Sequence, residues 1–209
     1  MSFDFDLTTL KDFKKPQLCE LVMSLKKEND ALKSHQGNVN DRLCELERSH
    51  YLYLQYGRRN SIEITGIPDN IDTERLEDEV IKVFDAAGVQ VDGRKLSNHD
   101  MEAVHRIGKK GVTIARFVNR KFAYAGLRSG KNLKGKNIYG DKGIYINPSL
   151  CRPFQYIGYV IRKLKQKGLV QQYRIRNGIY AIKIDDKFVD ITHKTDFSAK
   201  CAIDIPADL

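Results

Sequence analysis

Apolar residues recur at two periods along this chain, and the changes of period mark its elements. Counting by sevens from Leu18 gives Leu18, Leu25, Leu32, Val39, Leu46 and Tyr53, an unbroken apolar series at heptad position d. The a positions Val22, Asn29, Gln36, Leu43 and His50 are mixed. This pattern predicts a coiled-coil helix over about residues 17–56, in which polar Asn29 costs stability but fixes register. Arg42-Leu43-Cys44-Glu45-Leu46-Glu47 places Arg42 at g and Glu47 at e, so that one helix can clamp its neighbour across the seam. The run matches the Arg-h-x-x-h-Glu pattern associated with trimeric coiled coils, so a homotrimer is favoured over a dimer. Gly37, Asn38 and Asn40 are weak helix formers and leave a second option, an intramolecular hairpin capped by Asn40 or Asp41.

From Ser61 the period shortens to two. Residues 61–66 alternate like a strand, 67–70 read as a turn, and 73–87 return to a helical period that ends at Gly88. Strands are expected over 102–107 and 112–118, a helix over 121–133, and a strand over 139–146. The order βαββαβ is the ferredoxin-like plan, which includes RNA-recognition domains. In those domains aromatic side chains on the central strands stack bases. Here Glu63 falls at the first-strand aromatic position and Val112 and Ile114 at the third-strand ones, so charge such as Arg116 must carry more of any binding.

A small C-terminal unit follows. A helix is expected from Asn147-Pro148-Ser149 to about Lys167, burying Phe154, Ile157, Ile161 and Leu164 and turning Arg152, Tyr156, Tyr159, Lys163 and Lys167 outward as a basic ladder with aromatic rungs. Tyr156 and Tyr159 could equally cover the core edge. Asn177-Gly178 between 173–176 and 179–184 is a strong hairpin signal. Alternation sends Tyr173, Ile175, Tyr180, Ile182 and Ile184 to the core face and Arg174, Arg176 and Lys183 to an open face, where a phosphate would relieve their mutual repulsion. A turn at Asp185-Asp186 leads to a strand over 188–191, and the tail from Pro206 reads as disordered. The expected class is α+β, divided into a helical segment (1–57), an RNA-recognition-like domain (58–147), a C-terminal domain (148–198) and a tail (199–209).

Charge distinguishes these parts. Between Ala103 and Ile184 lie nineteen Lys and Arg against one acid, Asp141, whereas residues 1–102 hold 14 basic and 20 acidic side chains. Seven of the ten tyrosines, Tyr124 to Tyr180, fall in the basic block. Cations interleaved with planar side chains suit a polyanion with stackable bases, single-stranded RNA or DNA. Candidate contacts in the block are Arg106, Lys110, Arg116, Arg120, Lys121, Arg152, Tyr156, Lys163, Lys167, Arg174, Arg176 and Lys183. Candidate oligomer contacts are Leu18, Leu25, Asn29, Leu32, Val39, Arg42, Leu43, Leu46 and Glu47.

Other classes find little support. Cys19, Cys44, Cys151 and Cys201 are isolated and read as reduced thiols of an intracellular protein, cytoplasmic or nuclear. The five histidines lack ligand spacing, so no metal or cofactor is expected. The start Met-Ser-Phe-Asp-Phe-Asp does not resemble a signal peptide, and no apolar run suits a bilayer. Without a phosphate loop, paired carboxylates or a nucleophile–base set, neither catalysis nor a small-molecule substrate is expected.

Arg59-Asn60-Ser61-Ile62-Glu63-Ile64-Thr65-Gly66-Ile67-Pro68 resembles the opening of the RNA-recognition-like domain in the first-open-reading-frame protein of LINE-type (non-LTR) retrotransposons. Val104-His105-Arg106-Ile107-Gly108, Ile114-Ala115-Arg116-Phe117, Leu133-Lys134-Gly135 and Tyr145-Ile146-Asn147 followed by Leu150 are similar too. Arg176-Asn177-Gly178 with its flanking strands also resembles the baculovirus FP (few-polyhedra) protein and its cellular relatives. The resemblance, over about residues 18–197, implies a trimeric coiled coil, an atypical RNA-recognition-like domain and a C-terminal domain that together clamp single-stranded nucleic acid, coat RNA and act as a chaperone. It implies contacts at Arg106 and Arg116 in the middle domain and at Arg152, Arg174 and Arg176 in the last. The FP likeness allows an alternative, a structural or adaptor protein working through coiled-coil contacts.

Overall fold

The computed structural model describes residues 14–108, 111–140 and 142–206. Helix α1 (Lys15–Tyr56) runs without a break through Gly37, so the chain takes the long-helix alternative. Among the described residues, 14–47 form one compact unit and those from Arg48 onward another. In the first unit the d series from Leu25 to Leu46 stands in solvent: Leu25 is 50% exposed, Leu32 67% and Leu46 68%. Asn29 and Arg42 are exposed as well, while Leu18 and Glu47 are half-buried.

The second unit is mixed α and β. Its first part runs β1 (Ser61–Thr65), α2 (Leu76–Ala87), β2 (Met101–Ile107), β3 (Val112–Phe117), α3 (Arg120–Ser129) and β4 (Tyr145–Pro148). The four strands form one antiparallel sheet in the order β2-β3-β1-β4. Ile62 and Ile64 of β1 and Thr113, Ala115 and Phe117 of β3 point to one face, where Leu76, Val80, Val83 and Phe84 of α2 and Phe122 and Ala123 of α3 complete the core. Gly126 permits the close packing of the two helices, because a Cβ there would lie 2.6 Å from the Phe84 ring.

The second part comprises α4 (Arg152–Gln166), β5 (Tyr173–Arg176), β6 (Ile179–Ile184), β7 (Lys187–Ile191) and α5 (Asp196–Cys201). Phe154, Ile157, Ile161 and Leu164 of α4 pack on Tyr180 and Ile182 of β6 and on Phe197 of α5. Gly158 brings α4 onto the sheet, since any side chain there would overlap the Tyr180 ring. The hairpin turns at Asn177 (φ 55) and Gly178 (φ 77), the left-handed pair of a type I′ turn.

Three expectations shift. The fourth strand lies at 145–148 rather than 139–146, because Gly140 takes a positive φ and Tyr139 leaves the sheet to hydrogen-bond Glu79 on α2. Helix α4 begins at Arg152 rather than Asn147, since residues 145–148 are taken up in pairing with β1. Residues 199–201 belong to α5, and Ile203 and Ile205 pack against the second core, so the packed structure continues into the expected tail. Residues 207–209, the end of that tail, lie outside the described residues.

Candidate nucleic-acid interface

The last two turns of α1 and the connection from β4 to α4 meet inside the second unit, and one side chain joins them. Gln55, 3% exposed, donates from Nε2 to the Ser149 carbonyl at 2.9 Å and accepts at Oε1 from the Cys151 N–H at 3.0 Å. The hairpin tip closes on the same place: Gly178 packs on Gln55, and Asn177 Oδ1 accepts from the Tyr124 hydroxyl of α3 at 2.9 Å. At the body end of α1, Arg48 reaches Thr192 Oγ1 at 3.1 Å and Asp196 at 2.8 Å.

Gln55, Tyr124, Ser149, Asn177 and Gly178 line a cleft of about 550 Å³ between α3, β4 and the edge strand β5. Its floor is apolar, with Leu127, Ile146, Pro148 and Ile175. Arg58, Arg59, Arg128 and Arg176 line it, and among the described residues no acid does. Among the described residues none of these four guanidiniums is ion-paired. Arg59 stacks over Tyr56, 4.7 Å to the ring centroid, and its Nε is buried with no hydrogen-bond acceptor. A buried donor without a partner is costly.

A second cleft, about 590 Å³, adjoins the first at Arg58 and is lined by Glu63, Ile107, Val112, Leu150 and Arg152. It lies on the sheet face away from α2 and α3, where Glu63 sits between Ile114 of β3 and Asn147 of β4. Burial raises the Glu63 pKa, against hydrogen bonds from the Leu150 N–H and the Ser149 hydroxyl and the charge of Arg58. The start of α4 therefore covers part of the face on which RNA-recognition domains stack bases.

A comparison with known family models finds no match, and neither does one with curated proteins.

The structure separates the sequence-derived candidates. Arg176 lines the first cleft and Arg152 the second. Arg106 points to the helix face of the sheet, where it donates to the Pro68 carbonyl and pairs with Asp69 at 3.5 Å, pinning the loop between β1 and α2. Arg116 pairs with Glu102 at 2.8 Å, and Lys121 with Asp92 at 2.8 Å. On the hairpin face expected to be basic and open, Arg174 lies over the Phe188 ring at 4.1 Å and Lys183 pairs with Asp186 at 2.7 Å, so the three cations do not converge on one phosphate position. Tyr156 and Tyr159 are 44% and 42% exposed on α4, with Lys163 over Tyr159. Arg120 is exposed at the start of α3, and Lys167 lies just beyond α4. Lys110 lies outside the described residues.

Sequence reasoning passed over Arg58, Arg59, Tyr124 and Arg128. Arg58 and Arg59 belong to the acid-rich half by position and reach the basic block only through folding. A local signal did exist at the other two: Tyr124, Leu127 and Arg128 share one face of α3, opposite buried Phe122, Ala123 and Gly126.

Proposed function

We propose that the protein is a non-catalytic single-stranded nucleic-acid-binding and chaperone protein of the LINE first-open-reading-frame type, built on an RNA-recognition-like domain. The first cleft takes the backbone, and Arg58, Arg59, Arg128 and Arg176 neutralise its phosphates. The observation that carries this reading is a cleft lined by four arginines and, among the described residues, by no acid. The βαββαβ order and the strand order β2-β3-β1-β4 support the RNA-recognition-like assignment. The exposed d stripe of α1 supports self-association, with a trimer favoured by Arg42 and Glu47.

Binding by phosphate neutralisation releases counterions. Four to five contacts give a slope of about −3 in log affinity against log salt for a single strand. Filter binding of a labelled oligonucleotide from about 50 to about 400 mM salt measures it. Arg59→Glu with Arg176→Glu lowers affinity for every sequence and flattens the slope. A salt-independent response overturns the reading, and polyglutamate binding as tight as oligonucleotide binding favours the adaptor alternative. Light scattering on the same sample measures the assembly, and a monomer mass removes the oligomer.

A further inference from the structure

The second cleft contains what a phosphate track should avoid, an anion. Among the described residues Glu63 is the one carboxylate lining either cleft. It stands on the central strand β1 at the position where a base-stacking aromatic would be expected, half-buried and flanked by Arg58 and Arg152. A carboxylate offers about four acceptor sites. The Leu150 N–H and the Ser149 hydroxyl take two, and Ser149 Oγ in turn accepts from Arg58 at 3.4 Å, which holds the group in place. Roughly two acceptor sites remain, at the wall of a space large enough for a nucleobase. Ile107, Val112 and Leu150 give that space apolar sides to lie along a ring, and Arg152 gives it a donor.

We propose that the second cleft is a base-reading pocket in which Glu63 selects guanine within an otherwise phosphate-bound single strand. This inference rests on the strand-binding reading. Guanine alone among the common bases carries two adjacent donors, N1–H and the N2 amino group, with no acceptor between them, and so can satisfy both remaining sites. Its O6 and N7 acceptors then suit the Arg152 guanidinium. Adenine, cytosine and uracil each bring a ring nitrogen or carbonyl acceptor beside their donor, which the carboxylate repels.

The test uses the full chain and fluorescence anisotropy on a twelve-nucleotide oligouridine, alone or with one central guanine, adenine or cytosine. The expected result is affinity for the guanine strand about tenfold above that for the other three, the worth of one bidentate base contact. Glu63→Gln keeps an oxygen for the Leu150 N–H but removes the charge and one acceptor. It binds oligouridine more tightly, because an anion leaves the track, and loses the guanine preference. A wild-type protein indifferent to the central base overturns the proposal without any variant. So does a Glu63→Gln protein that melts like wild type and keeps the preference. In both cases salt-dependent oligouridine binding leaves the strand-binding reading standing, whereas absence of binding to all four strands overturns both.

Discussion

Asp196, the first residue of α5, is a buried carboxylate surrounded by donors, and replacing it by Asn measures what they contribute. It accepts from the Thr192 N–H at 2.8 Å, the Thr192 hydroxyl at 2.9 Å and the His193 N–H at 3.1 Å, and pairs with Arg48 at 2.8 Å and Lys200 at 3.1 Å. Burial on its own would raise its pKa. The Thr192 N–H, Lys200, the Thr192 hydroxyl and Arg48 outweigh burial and lower it from 3.8 to about 2. At 1.36 kcal/mol per tenfold change in proton affinity, that fall corresponds to about 2.5 kcal/mol of folding stability. Because the folded pKa is the lower one, this stability is fully present above about pH 4 and disappears as the pH falls towards about 2. Urea denaturation of wild type and Asp196→Asn from neutral to strongly acid pH isolates the effect, since the other carboxylates titrate in both proteins. The expected difference is about 2.5 kcal/mol or more at neutral pH, shrinking steadily below about pH 4. A difference under about 1 kcal/mol, or one that does not change with pH, refutes the argument.

Gln55→Ala leaves the buried Ser149 carbonyl and Cys151 N–H without partners, and urea denaturation should show a loss of about 2–5 kcal/mol. Gly158→Ala forces α4 away from the Tyr180 ring and should cost about 1–3 kcal/mol in the same assay, with α4 still helical by circular dichroism.

What could be read from the sequence was local. Asn177-Gly178 needed only its own turn chemistry to place β5 and β6, and the α2 stripe from Leu76 to Ala87 needed only a period. The charge count located the cations but not their neighbours. Glu102 and Asp92 lie in the acid-rich half, yet folding lays them beside Arg116 and Lys121 and partly cancels the block. Conversely Arg58 and Arg59 come from that acid-rich half and end among the cations. Strand register decides such pairings: Ala103 stands opposite Arg116, putting Glu102 within reach across a bulge, and no periodicity reports that. Arg106 shows the same limit, because one residue of register separates the open face of the sheet from the helix-covered one.

The part played by Gln55 bears on how the molecule can be dissected. A fragment cut at residue 58 to discard the long N-terminal segment would also discard Arg48 and Gln55, and with them the acceptor and donor that Asp196, Ser149 and Cys151 depend on. Such a fragment would bind weakly, if it folded at all, because its seam had been opened rather than because its arginines were unsuited to the ligand. Shortened versions of this polypeptide are therefore informative only when they begin at or before Arg48.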